Sequence, residues 1–455
     1  MIKRFAITPL ALALTLSGCM SMAPKYERPA APVAASFPVA TPAGQGASTI
    51  EWQRYFGDAR LQELVRLALA NNRDLRMAVL NIEQARAQYR ITRADRLPTL
   101  GLAATGNRVS NDNENISSSY SVGLGVSAFE LDLFGRVKSL SDAALSQFLA
   151  TEEARRAVQV SLVASVANAY LATLADDELL ALTERTLAAR EESFKLVQLK
   201  FDNGVVSRVD LEQARTLVES ARVFLAQQQR QRAVDFNLLT LLVGQPLPAK
   251  LPASATLAAT ELADLPAGLP SDLLAARPDI RQAERLLMAA NANIGAARAN
   301  FFPRIALTAS AGSASSELSG LFGSGSFGWT FAPSMLLPLF DYGRNSAILG
   351  SAKAGREIAV AQYEKSIQTA FREVSDALAG QATYSEQLRA QRAVATAETE
   401  RFRLAELRYR NGAASYLDYL DAQRSLFAAQ QAAVQANLAR LQNQVTLYRV
   451  LGGGG

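Results

Sequence analysis

Gly135-Arg136 returns as Gly343-Arg344, Asn203-Gly204 as Asn411-Gly412, and Gly244 as Gly452, each 208 residues further along the chain. Between these markers lie Arg136–Asn203 and Arg344–Asn411, 68 residues apiece, then 39 residues to the closing glycine in both copies. Upstream, Arg73-Asp74-Leu75-Arg76 matches Pro278-Asp279-Ile280-Arg281 and Pro98 matches Pro303, both offset by 205. The three-residue slip falls within 106–120 and 311–326. Register kept over this length makes the chain two copies of one unit.

Each unit holds a very long helical stretch. Arg136–Asn203 contains neither Gly nor Pro, and its apolar positions recur at helical spacing, as in Leu162, Val166, Ala169, Thr173 and Leu180. Unbroken, such a helix reaches ~100 Å at about 1.5 Å per residue. Its copy tolerates Gly350, Gly355 and Gly380 but no Pro. Both stretches stop at Asn-Gly and return through a second helix, which makes two hairpins longer than a globular domain needs.

Ahead of each hairpin the period switches to two. Tyr120, Val122, Leu124, Val126 and Ala128 alternate with Ser121, Gly123, Gly125 and Ser127. Phe327, Trp329, Phe331, Pro333, Met335 and Leu337 alternate with small or hydroxylated residues. Leu100, Leu102, Ala104 and then Ile305, Leu307, Ala309 supply a preceding strand in each unit. About ten tilted residues is the length of a transmembrane strand. No stretch after residue 18 approaches 18 continuous apolar residues, so the strands are the expected spanning segments. Four strands cannot close a barrel alone, so several copies must share one. A dimer supplies eight strands and a filled interior, a trimer twelve and room for a lumen.

Composition narrows the chemistry. The 455 residues include no His and one Cys, and the formal net charge is +5. Imidazole-based catalysis, histidine metal sites, internal disulfides and thiolate zinc sites are thereby excluded. The net charge is too slight for a nucleic-acid footprint, and no phosphate loop or nucleophile with a base is present. Residues 1–18 read as an export signal, with Lys3 and Arg4 ahead of a short apolar core. That core ends in Leu16-Ser17-Gly18-Cys19, which resembles a lipobox. Cys19 is then the acylated first residue, anchored through its buried methylenes, and Met20 after it favours sorting to the outer membrane. The Ala- and Pro-rich residues 23–48 read as an extended tether.

These features, with Glu130-Leu131-Asp132-Leu133-Phe134-Gly135-Arg136, Arg277-Pro278-Asp279-Ile280 and Leu420-Asp421-Ala422-Gln423-Arg424, resemble the outer membrane factors of tripartite multidrug efflux pumps, the TolC-like ducts, in their OprM-type lipoprotein branch. The resemblance implies a mixed all-α and membrane β-barrel fold: a homotrimer with a 12-stranded barrel and a 12-helix periplasmic tunnel. It divides the chain into a signal peptide (1–18), an acylated tether (19–50), an equatorial helical segment (51–97), a first strand pair (98–131) and a first hairpin (132–244). The second half follows as linker and equatorial segment (245–301), strand pair (302–338), hairpin (339–451) and tail (452–455). It further implies no catalysis, no metal, no cofactor beyond N-acyl and S-diacylglycerol lipid on Cys19, and no nucleic acid. The implied partners are a periplasmic adaptor, an inner-membrane RND pump and outer membrane lipid. A periplasmic adaptor lipoprotein is the competing reading, but that class needs one long hairpin, not two.

A duct must close at rest, and the helix turns are the place to close it. Leu417, Asp421 and Arg424 share one helix face, with Asp418 one position off it. Repeated by symmetry, they become an apolar and an acidic ring, able to exclude water and to favour cations. The resemblance implies that the leucine and aspartate form the periplasmic constriction. The alternative is local pairing of Asp421 with Arg424. The turns themselves, Asn203, Gly204, Val205 and Ser207 with Asn411, Gly412, Ala413 and Ser415, are the expected adaptor-docking points.

Overall fold

The computed structural model describes residues 21–39, 50–110, 116–263, 265, 268 and 270–453. The signal peptide and Cys19 lie outside the described residues, as do parts of the tether, the first strand-pair loop and the last two residues.

Short helices α1 (Trp52–Tyr55) and α2 (Ala59–Asn71) lead into α3 (Arg73–Ala94). Strands β1 (Leu100–Ser110) and β2 (Ile116–Leu131) follow, then α4 (Arg136–Asp202) and α5 (Arg208–Val243). The second copy runs α6 (Pro270–Ala276), α7 (Pro278–Ala299), β3 (Arg304–Ser315), β4 (Phe327–Leu336), α8 (Arg344–Arg410) and α9 (Tyr416–Val450). The duplication is metrically close: α4 and α8 each span 67 residues, and α3 and α7 each 22. Pro270 and Pro278 open their helices, where no amide donor is needed.

The chain divides into two compact units. One holds the chain up to Ala31, Leu80–Glu153 and Arg281–Ser366; the other holds Pro32–Val79, Ala154–Ile280 and Ile367–Gly455. In the first, the strands form one antiparallel sheet in the order β1-β2-β3-β4. Neither β1 nor β4 has a second neighbour among the described residues. Phe327, Trp329, Phe331 and Met335 project from one face of β4 and are all exposed.

Period-two alternation along β2 holds only as far as Val126. That residue pairs with Ala309, but Phe129 pairs with Leu307, so Ser127 and Ala128 stand opposite Thr308 alone. This β-bulge takes Ala128 to φ 51°, and its amide donates to Thr308 Oγ1 at 3.3 Å. The extra residue corrects the expected register. Phe129 and Leu131, rather than Ala128, continue the apolar face, and Glu130 turns to the other side. There it accepts two hydrogen bonds from Arg136, at 2.8 and 2.6 Å, and pairs with Arg304 at 3.2 Å.

Residues 21–39 take no regular structure, yet the first of them are bound. Asn291 Nδ2 donates to the Pro24 carbonyl (2.7 Å), Arg298 to that of Met22 (3.1 Å), and Arg28 grips Glu284 through two bonds. Tyr26 also donates to Glu284, at 3.0 Å. Gly295 lets this segment cross α7, since a Cβ there would lie 2.6 Å from the Ala23 amide nitrogen. The tether reading is sharpened: at least to Arg28 this is a strap along α7.

In the second unit Tyr55 stacks on Tyr448 at 4.6 Å, and Phe56 meets Tyr448 edge-on. Arg277, only 6% exposed, pairs with Asp279 and Glu373 and donates to the Val450 carbonyl at 3.1 Å. It ties the start of α7 to α8 and to the end of α9. Helix α4 contains an 18-residue window apolar enough by length and composition to cross a bilayer, although no stretch of it is continuously apolar over that length. Residues 157–175 carry no charge, their Ser, Asn, Gln and Thr having hidden the run from a count of continuous apolar residues. Just over half of that window (56%) is buried inside the structure, which makes it a packed face of the bundle.

Candidate functional site

Both helix turns are built alike. At the first, the Gly204 amide donates to the Phe201 carbonyl (2.9 Å) and the Val205 amide to that of Lys200 (2.8 Å). At the second, Gly412 donates to Tyr409 (3.0 Å) and Ala413 to Arg408 (2.8 Å). This paired closure requires a left-handed residue, and Gly204 (φ 74°) and Gly412 (φ 72°) supply it. Asn203 and Asn411 reinforce it by donating side-chain amides to Leu199 and Leu407. The return helices start on matching capping boxes, Ser207 with Asp210 and Ser415 with Asp418. Val205 is exposed, as are Gly204 and Gly412.

Behind the turns the two hairpins meet in one apolar cluster. Val197, Leu211, Ala214, Leu217, Tyr416, Tyr419 and Leu420 are buried, flanked by Phe194, Phe201, Val206, Phe402 and Tyr409. Tyr409 stacks on Tyr419 at 5.4 Å, and Tyr419 contacts Tyr416 at 6.0 Å. Lys200 of the first hairpin donates to Tyr409 Oη of the second at 3.2 Å. Burial pushes the Tyr416 phenol up to about 12.

The charged residues of the candidate gate sit on the solvent side of this cluster. Leu417 is 55% exposed, and the Asp421 side chain 45%. Asp421 is held between Arg401 on α8 and Arg424, the latter at 3.2 Å. The Arg401 hydrogen bond, with a smaller contribution from Arg424, keeps its carboxyl below the usual range. The local Asp421–Arg424 pair is therefore present, within a larger cluster that also takes in Glu398 through Arg401. Asp418 spends its carboxylate on the Ser415 cap, bonding both the Ser415 hydroxyl (2.8 Å) and its amide (3.2 Å).

Sequence reasoning passed over Arg401, Lys200 and Arg190. The first was findable: Arg401 and Asp421 lie ten residues either side of Asn411, so folding the hairpin about its turn brings them together. Arg190 had no such signal. It is buried between helices, donates to the Leu217 carbonyl at 3.0 Å and lies over the Phe427 ring at 5.2 Å. Burial and, secondarily, Arg424 hold its guanidinium below the ordinary range. Among the described residues no group of three or more His, Cys, Asp or Glu is placed to hold a metal ion.

Residues 64–245 and 269–453 match the family described as outer membrane efflux protein, one match for each repeat. The chain is 50% identical over 461 residues to the probable efflux pump outer membrane protein TtgC of Pseudomonas putida, covering 98% of this chain and 95% of that one. It is 49% identical over 460 residues to outer membrane protein OprJ of Pseudomonas aeruginosa, covering 99% and 96%. Among solved structures, the open-state MtrE outer membrane channel of Neisseria gonorrhoeae superposes with a TM-score of 0.90 at 44% identity, over 96% of this chain and 98% of that chain.

Proposed function

The chain belongs to the outer membrane efflux protein family, and from that premise we propose that it is the exit duct of a tripartite efflux system. It is an outer membrane efflux channel protein, of a family of channels rather than enzymes, and the adaptor reading is not supported. In the proposed reading it catalyses nothing and passes drugs or other small toxic compounds delivered by an inner-membrane RND pump through a periplasmic adaptor.

One observation carries the finer reading: a four-stranded sheet whose two edge strands have no second neighbour among the described residues, with an exposed aromatic face on β4. An open edge is not tolerated in lipid, and three copies supply the twelve strands of a barrel with a lumen. The long helices of the same three copies would line a periplasmic tunnel. Leu417, Asp421 and Arg424 would form its resting constriction, and the two glycine turns would receive the adaptor. Acylation of Cys19 would add a lipid anchor. Purified protein in a planar bilayer tests this directly. A cation-preferring, low-conductance channel is expected, and a protein that inserts without conducting would overturn the duct reading.

A further inference from the structure

Phe134, which follows β2, stacks on Phe302, which precedes β3, with ring centroids 4.8 Å apart and 24° between planes. Here the first repeat seats on the second. The 208- and 205-residue offsets carry this pair onto Tyr342, which follows β4, and Leu97, which precedes β1. The surroundings are carried over too. Leu131-Asp132-Leu133-Phe134-Gly135-Arg136 has its counterpart in Leu339-Phe340-Asp341-Tyr342-Gly343-Arg344, and Phe302-Pro303 in Leu97-Pro98. Gly135 (φ 71°) and Gly343 (φ 82°) both take the left-handed conformation just before the long helix; Tyr342 takes it as well (φ 54°), which Phe134 does not.

The exposures differ sharply. Phe134 is half-buried, whereas Tyr342 is 91% exposed and Leu97 71%. Phe340 lies edge-on to Tyr342 at 4.6 Å and widens the apolar knuckle. Tyr342 follows β4 and Leu97 precedes β1, the two strands with no second neighbour among the described residues, and both side chains are exposed, so the second copy of the contact is unmade within one chain. We propose that the Phe340–Tyr342 knuckle docks on Leu97 of a second copy of this chain, reproducing between copies the seat that Phe134 finds on Phe302. The occupant is a second copy because this chain already carries the complementary surface, one repeat away. Because β2 carries one extra residue at its bulge, Leu100↔Val126 recurs as Ile305↔Met335, and the same equivalence applied to Val126↔Ala309 sets the strand seam with Met335 of one copy opposite Ala104 of the next.

This contact rests on the reading that copies share one sheet, and two cysteine pairs separate the two claims. In the full-length protein, with Cys19 retained, Leu97→Cys combined with Tyr342→Cys should give covalent oligomers on a denaturing gel after bismaleimide treatment. Neither single variant should do so. The seam pair Ala104→Cys with Met335→Cys should also cross-link between copies. Oligomers from the seam pair alone overturn the knuckle contact and leave the shared sheet standing. Oligomers from neither pair overturn both. A photoreactive benzoylphenylalanine in place of Tyr342 provides an independent route. It should label the peptide containing Leu97, and labelling confined to other peptides overturns the contact.

Discussion

Replacing Asp421 by alanine removes the carboxylate that Arg401 and Arg424 share and leaves both guanidiniums on the solvent side of the tyrosine cluster. Because the group is half-exposed, each of its ion pairs is worth only about 0.5 kcal/mol. Two pairs make roughly 1 kcal/mol per copy, and in the proposed trimer three copies acting together would make about 3 kcal/mol. At ~1.4 kcal/mol per factor of ten, this shifts a closed-to-open equilibrium by about 100-fold. The assay is single-channel conductance in a planar bilayer at low salt, since at about 1 M the screening length falls to ~3 Å and hides the effect. Adding Leu417→Ala should raise conductance further by removing the proposed apolar ring. Arg401→Ala separates latch from charge: it loosens the turn but keeps the acid, so conductance rises while cation preference persists. Asp421→Ala loses both. If Asp421→Ala with Leu417→Ala leaves conductance and ion selectivity as they were, these residues do not form the constriction.

Arg277→Met strips Asp279, Glu373 and the Val450 carbonyl of their shared donor; breaking a buried pair costs about 3–5 kcal/mol, visible as a lowered Tm, whereas an unchanged Tm would mean that α7 and α9 do not depend on it. Asp176, raised to about 7 mainly by burial and then by Asp235, binds its proton more tightly folded than unfolded. Its contribution to stability is therefore complete below about pH 4 and fades as pH rises through 7, so Asp176→Asn should raise Tm at pH 8 and hardly at pH 4. Cys19→Ser should abolish incorporation of radiolabelled palmitate while leaving oligomers intact; label on that variant refutes acylation at Cys19.

Much of the fold is legible in the amino-acid sequence. The 208-residue repeat carries through to two helices of identical length, two Schellman-type turns and two capping boxes, because each depends on local residues that the duplication preserved. What stayed hidden depends on distance along the chain or on a single added residue. The bulge at Ser127-Ala128 breaks the alternation without any glycine or proline to announce it. Arg277 looked like a family phrase, but its burial becomes visible only once Glu373 and Val450 arrive from 96 and 173 residues away. At the candidate gate, Leu417, Asp421 and Arg424 were legible from helical spacing, whereas Lys200 and Arg190 belong to the other hairpin and carry no spacing signal.

The strap along α7 has a consequence for how the chain would sit at a membrane. Residues from Ser21 to Arg28 are fastened at several points, including Glu284, Asn291 and Arg298. Cys19 is two residues before Ser21, so chain connectivity allows it at most ~7 Å from that point. A lipid carried there is a short leash rather than a long one. Such an anchor, if added as proposed, would give the domain almost no freedom to wander above the bilayer and would confine each copy to a narrow range of heights. Copies held so would meet their neighbours as a two-dimensional population already aligned along the membrane normal, with less orientational freedom left to lose when their sheets join.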